Sequence, residues 1–177
     1  ENAAARQQRE LGERWQDAGP EAVADMFAVD YVGLDRRAGL GGEVLGRRGA
    51  LEQIRVMAEL LDGARIEVDE VVAQRGERLV LVRVGIHADF EVEVLVVSEL
   101  DLAGRQVRSV AFDPDDLDLA LAELEARHRA LEGEANPDAA DAGVAENAAA
   151  RLHRTLHERW QDEGPDAVAD LLAVDYL

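Results

Sequence analysis

No cysteine occurs among these 177 residues, which excludes a disulfide framework, a thiol nucleophile and a thiolate metal site. Lysine is missing as well: all 19 basic residues are arginine, set against 38 acidic ones for a net charge of -19. A field this negative repels the phosphates of a nucleic acid and the headgroups of an anionic membrane. No apolar run approaches the roughly 20 residues that a membrane-spanning helix needs. With 47% hydrophobic residues the chain is nevertheless too apolar to stay disordered. What remains is an acidic, folded protein, expected to be soluble and cytoplasmic, with no nucleic-acid or membrane partner.

The first positive feature is a repeat. Residues 1–32 and 146–177 are identical at 23 of 32 positions, at an offset of 145 residues. That period is too long for a solenoid unit of 20–50 residues, so each copy should be a whole domain with its own core. The chain then holds one complete unit over residues 1–131, a linker over 132–145, and the first two helices of a second copy over 146–177. The linker reading rests on the sequence EGEANPDAADAGVA, which is acidic, small and broken by Gly133, Pro137 and Gly143.

Within one unit, Ala4, Leu11 and Trp15 form a stripe at helical spacing over residues 3–17. Gly19-Pro20 ends that helix and opens a short second one carrying Val23, Met26 and Phe27. Residues 28–37 read as a strand and Gly39, Gly41 and Gly42 as a bend, followed by a third helix on Leu51, Ile54, Met57 and Leu61. Four valine-rich strands follow, over 65–73, 78–88, 89–100 and 105–112. In the second of these Val80, Val82, Val84 and Ile86 make one fully apolar face, opposite a mixed one. Short turns imply antiparallel pairing. Asp113-Pro114-Asp115-Asp116 reads as the start of a last helix, with Asp113 at the N-cap. The expected fold is α+β: a strongly bent antiparallel sheet, cone-like with one open end, packed on N-terminal helices and followed by an extra C-terminal helix.

Residues 1–128 resemble the nuclear transport factor 2-like superfamily, and within it the SnoaL-like domains. The segments that carry the resemblance are Arg14-Trp15 closing the first helix, AVDYVGLDRR over 28–37, GRRGAL over 46–51, and FDPDDL over 112–117. They are similar to domains appended to bacterial regulatory and cyclase proteins. The superfamily includes isomerases, cyclases, epoxide hydrolases and dehydratases beside many modules that only bind, so the resemblance speaks to fold more than to reaction. It implies that any catalytic group lines the cone, which directs attention to Asp35, Arg37, His87, Asp89, Glu91 and Asp113.

On the first strand Tyr31, Gly33, Asp35 and Arg37 share a face. If that face lines the cone, Asp35 is a candidate general base and Arg37 a candidate ligand contact. The competing reading is an Asp35–Arg37 pair that pins the next loop. His87 is a candidate base with Asp89 or Glu91 as its orienting carboxylate, although it shares the mixed face with Arg83. Trp15, Tyr31 and Asp113 complete the candidate ligand contacts, with Trp15 equally suited to be a core anchor. His153 and His157 have i, i+4 metal spacing but lack the following glutamate, and the first copy carries Gln8 and Gly12 there. No metal and no cofactor is expected.

The preferred function is a non-catalytic module, binding a small ligand or another protein, within a larger and bacterial regulatory protein. The alternative is a small-molecule isomerase, cyclase or hydratase using a carboxylate or histidine in the cone. A homo-oligomer is also expected. Residues 146–177 carry Leu152, Leu156, Trp160, Leu171 and Leu172 without a sheet of their own to cover them, so these residues should pack on another chain. A small apolar molecule is the other expected partner.

Overall fold

The computed structural model describes residues 1–60, 65–87 and 90–135. Contacts group the chain into two units, Glu1–Leu131 and Glu132–Leu177. The oligomer contacts expected at Leu152, Leu156, Trp160, Leu171 and Leu172 fall outside the described residues. So do the histidine pair of the second copy and Asp89.

Asn2 sets the first helix, α1 (Ala3–Ala18), in place. Its side chain accepts from the Ala5 N–H as an N-cap and donates to the carbonyls of Gly76 and Leu79 at 2.8 Å each. One side chain thereby caps the helix and ties it to a sheet turn. Gly19 ends α1 at φ 80°, the left-handed region where glycine carries no steric penalty, and its N–H closes on the Trp15 carbonyl at 2.8 Å. A 3-10 helix over Pro20–Met26 leads into β1 (Phe27–Asp35). The remaining elements are β2 (Gly42–Leu45), α2 (Gly46–Leu60), β3 (Arg65–Arg75), β4 (Leu79–His87), β5 (Glu91–Leu100), β6 (Gln106–Phe112) and α3 (Leu117–Ala135).

Six strands form one sheet in the order β2-β1-β6-β5-β4-β3. The sheet is curved and does not close. Bulges in β3, between Val68 and Glu70 and between Val71 and Ala73, and in β6 between Gln106 and Arg108, bend those strands. Two features depart from the sequence reading. Residues 42–45, of which the sequence reading places Gly42 in the bend and assigns the rest to no element, pair with β1 as an edge strand from Val32↔Leu45 to Asp35↔Gly42. The pairing is also not antiparallel throughout, because β1 and β6 run parallel. No short turn joins those two strands, so nothing local dictates their direction.

Both faces of β4 are covered over its first half. Val80 and Val82 pack on Ala4 and Ala5 of α1 with Leu100, and Val84 joins that cluster from the edge. On the other face Leu79 and Leu81 meet Leu95, Val97, Val110 and Phe112, closed over by Ala120 and Leu124 of α3. The face that reads as mixed in sequence is thus apolar where α3 lies and polar beyond it. A third cluster joins Val23, Met26, Phe27, Tyr31, Ala50 and Ile54, with Leu11 and Trp15 against it.

Asp113 does not cap α3. The Asp116 N–H bonds the Asp113 carbonyl in a turn, and helical bonding begins with Ala120 N–H to the Asp116 carbonyl. The Asp113 carboxylate instead accepts the Ala38 N–H at 2.8 Å, tying the loop after β1 to the end of β6. At its far end α3 runs through Ala135, four residues into the stretch read as a linker. Among the described residues no helix is long and apolar enough to cross a membrane.

Candidate functional site

The bent sheet, α1 and α2 enclose a cavity of about 290 Å³. Strand alternation builds its floor: Val84 and Ile86 of β4, Val94 and Val96 of β5, and Ser109 and Ala111 of β6 all point to one side. Ile66 of β3, Met57 of α2 and Trp15 of α1 close it, while Leu40 and Glu43 stand at the rim. The inner walls are apolar apart from two polar features, one where Tyr31 of β1 meets Ser109 of β6 and one where Asp35 at the end of β1 meets Arg37. Gln53, exposed on α2, is a further polar lining residue.

The first lies deep. Tyr31 is buried, with its ring edge-to-face against Phe27 at 5.1 Å between centroids. Its hydroxyl lies 2.5 Å from the Ser109 hydroxyl, and both residues line the cavity. Burial raises the Tyr31 pKa above the ordinary phenol value, against a smaller lowering by the bond to Ser109.

The second is the Asp35–Arg37 pair. Arg37 donates through Nε to Asp35 Oδ1 at 3.0 Å and through Nη2 to Oδ2 at 2.6 Å, and its backbone N–H also bonds Oδ1 at 3.0 Å. The hydrogen bonds from Arg37 outweigh burial and hold the Asp35 carboxyl below its ordinary pKa; Asp35 in turn raises Arg37. A general base working near neutrality needs a raised pKa and a lone pair free for the substrate's proton. Asp35 has the opposite shift and both oxygens engaged, so its geometry is that of a pin on the turn that follows β1.

This pair makes stability depend on pH with a definite sign. A carboxyl whose folded pKa lies below its unfolded value, about 3.9, stabilises the fold above that value and loses the contribution as pH falls through the folded pKa. Wild type should therefore melt higher than Asp35→Asn at pH 7, and the difference should shrink once the pH drops below about 4. Melting curves of both proteins across that range check it; a difference independent of pH would disprove the assignment.

Of the other candidates, Trp15 lines the cavity while also packing on the Val23–Phe27 cluster. His87 and Asp113 do not line it. His87 alternates with Ile86, so it stands on the opposite face of β4, half-exposed. Among the described residues its nearer carboxylate is Asp69, with Nε2 3.4 Å from Oδ1, while Glu91 lies 4.0 Å from Nδ1 and Asp89 falls outside the described residues. The bulge in β3 re-aims Asp69, and Gly85 leaves room for it, since a Cβ there would collide with both side chains. Glu67, Asp69 and His87 bring possible metal-ligand atoms within 4.8 Å of one another. Arg65 pairs with Glu67, and His87 lies beside Asp69.

Ser109 is the polar cavity residue that sequence reasoning does not name, and Gly33 is placed by it on the candidate face without a role of its own. The available signal was faint: Ser109 is a hydroxyl among valines, facing Gly33 only through the long-range parallel pairing of β1 with β6.

No family model matches the chain, and no curated protein matches it. Solved structures do. It superposes on a protein of the SnoaL-like family from Agrobacterium tumefaciens at 17% identity, covering 62% of this chain and 92% of that one, with a TM-score of 0.50. A nuclear transport factor 2-like protein from Mesorhizobium loti aligns at 18% identity over 62% of this chain and 89% of its own, also at 0.50. A Mycobacterium tuberculosis protein in complex with estradiol-17β-hemisuccinate aligns at 15% identity over 63% and 93%, again at 0.50. At these identities the likeness is one of fold. It is an α+β fold with N-terminal helices on a curved, open six-stranded sheet, as the resemblance in the sequence implied.

Proposed function

We propose that this chain is a binding module for a small, apolar, uncharged molecule held in the cavity, without catalysis, and that it serves a larger regulatory protein. The observation that carries the reading is the state of the carboxylate that β1 turns towards the cavity. Asp35 is ion-paired at 2.6 Å to Arg37, so the lone pairs a base would need are engaged, and the remaining carboxylate of the lining, Glu43, stands exposed at the rim. A cavity with such walls and a few convergent polar groups is the usual form of a small-ligand site. The complex of the structurally similar Mycobacterium tuberculosis protein with estradiol-17β-hemisuccinate, an apolar steroid body bearing one carboxyl group, supports a fold able to bind a ligand with a large apolar body.

Titration with N-phenylnaphthylamine, a neutral apolar fluorophore, tests the reading. Saturable binding with a Kd on the order of micromolar is expected, driven by burial of apolar surface. Val96→Trp, which fills the cavity from its floor, should weaken it at least tenfold while the melt stays cooperative; Ala111→Leu serves as the second filling variant. Absence of saturable binding, or equal affinity in a folded filled variant, would overturn it.

A further inference from the structure

We infer that the cavity recognises a carbonyl oxygen on its ligand through the Tyr31–Ser109 hydroxyl pair, and that Gly33 is the positioning residue that makes this pair possible. The inference rests on the binding reading above and adds the ligand's chemical class.

Proton counting gives the direction of recognition. Two hydroxyls carry two protons, and the bond between them uses one. Whichever oxygen donates within the pair, one O–H is left over. Among the described residues neither hydroxyl has a further hydrogen-bond partner, and both line the cavity. The pair therefore presents a donor to the apolar inner part of the cavity, lined by Val84, Val94, Val96 and Ala111, and a donor in such a space selects an acceptor. The acceptor is neutral because the guanidinium that lines the cavity, Arg37, is already held by Asp35. A ketone, aldehyde or ester oxygen on an apolar body meets these conditions, whereas a carboxylate would find no free cation there.

Gly33 explains how the tyrosine reaches the serine. Gly33 and Ser109 are register partners across the parallel β1–β6 pair, and Tyr31 lies two residues earlier on the same face. The Tyr31 ring folds along the strand and lies over Gly33. A Cβ at position 33 would stand 2.8 Å from the Tyr31 hydroxyl oxygen, 3.1 Å from Cε1 and 3.2 Å from Cζ. Any side chain there pushes the ring away and parts the two hydroxyls. Gly33 has no φ in the left-handed region, so its requirement comes from this close approach alone.

Two neutral naphthalene probes separate acceptor recognition from plain packing: prodan, which carries a ketone, and N-phenylnaphthylamine, which carries no oxygen. Tyr31→Phe combined with Ser109→Ala removes both protons and should weaken prodan roughly fivefold to tenfold while leaving N-phenylnaphthylamine within about twofold. In a Tyr176→Phe background, Gly33→Ala should move the alkaline absorbance titration of Tyr31 further up, because the bond to Ser109 that lowers it is lost. Ser109→Ala, which removes the same bond without touching Gly33, is the second variant should Gly33→Ala lose its cooperative melt, and it should move the titration the same way. Equal losses for both probes, or no loss in the double variant, would overturn acceptor recognition. An unshifted titration in folded Gly33→Ala would overturn the role of Gly33. If neither probe saturates wild type, the binding reading falls and the acceptor with it, while the titration still decides the positioning of Tyr31.

Discussion

Phe112→Ala should destabilise the first unit by about 3–5 kcal/mol, the range for emptying an aromatic site in a packed core. For a unit of this size that corresponds to a fall in melting temperature of roughly 10–15 °C. Phe112 is 1% exposed and sits where β6 meets α3, in the cluster with Leu81, Leu95, Val110 and Leu124. It is held from two layers, so neither the sheet nor the helix can collapse into the gap without giving up its own contacts. The Arg36 guanidinium lies 5.6 Å from the ring centroid and would lose that contact as well. Thermal and urea unfolding monitored by circular dichroism check the effect. A loss under about 1 kcal/mol would mean that α3 does not close this core.

Glu99→Ala should have the next largest effect, about 2–3 kcal/mol. The Glu99 side chain is 5% exposed, and its Oε2 accepts from both Nε and Nη2 of Arg127 on α3 at 2.8 Å. Arg78 approaches the other oxygen at 3.8 Å. Removing one member of a buried pair costs roughly 3–5 kcal/mol when the other is stranded; here both arginines are partly exposed and can rehydrate, which lowers the figure. The urea midpoint should fall with little change in slope, as expected for lost stability without a change in the surface exposed. Glu99→Gln keeps the shape but not the charge and should fall between wild type and Glu99→Ala. A Glu99→Gln protein as stable as wild type would show that the charge contributes nothing to docking α3.

Much of the fold was legible because its signals are local. Gly19-Pro20 punctuates the first two helices, Leu11 and Trp15 mark the buried side of α1, and the Val80–Ile86 alternation marks β4. The helix order and the run of four strands followed from the same kind of reading. β2 escaped it because its four residues carry two glycine-side turn signals and only Val44 and Leu45 as apolar content; it exists through pairing with β1. The start of α3 shifted from Asp113 to Leu117 for a related reason. Asp113 has the right side chain for a cap, but the Ala38 N–H, 75 residues away in sequence, competes for it.

The expectation that residues 146–177 pack on another chain rests on matching apolar positions and lies outside the described residues. Leu11, Trp15 and Val23 recur in the second copy, yet Gly12 becomes His157 there. In α1 a Cβ at Gly12 would stand 3.0 Å from the Ile66 carbonyl of β3, a tightness that the apolar match does not report.

The sequence by itself determined the class of the protein: acidic, free of cysteine, built of helices and a valine-rich sheet, and led to the face carrying Tyr31, Gly33 and Asp35. Composition and periodicity are properties of neighbours along the chain, and they report on these directly. Only the tertiary structure decided which groups on that face are available. It ran β1 parallel to β6 and thereby set Ser109 beside Tyr31. It closed Arg37 onto Asp35 as an ion pair, and it placed His87 on the far side of the sheet. Each of these is a contact between side chains whose distance depends on register, bulges and the path of a loop. Ångström differences there decide whether a carboxylate is a base or one half of an ion pair, and residue spacing carries no information at that scale.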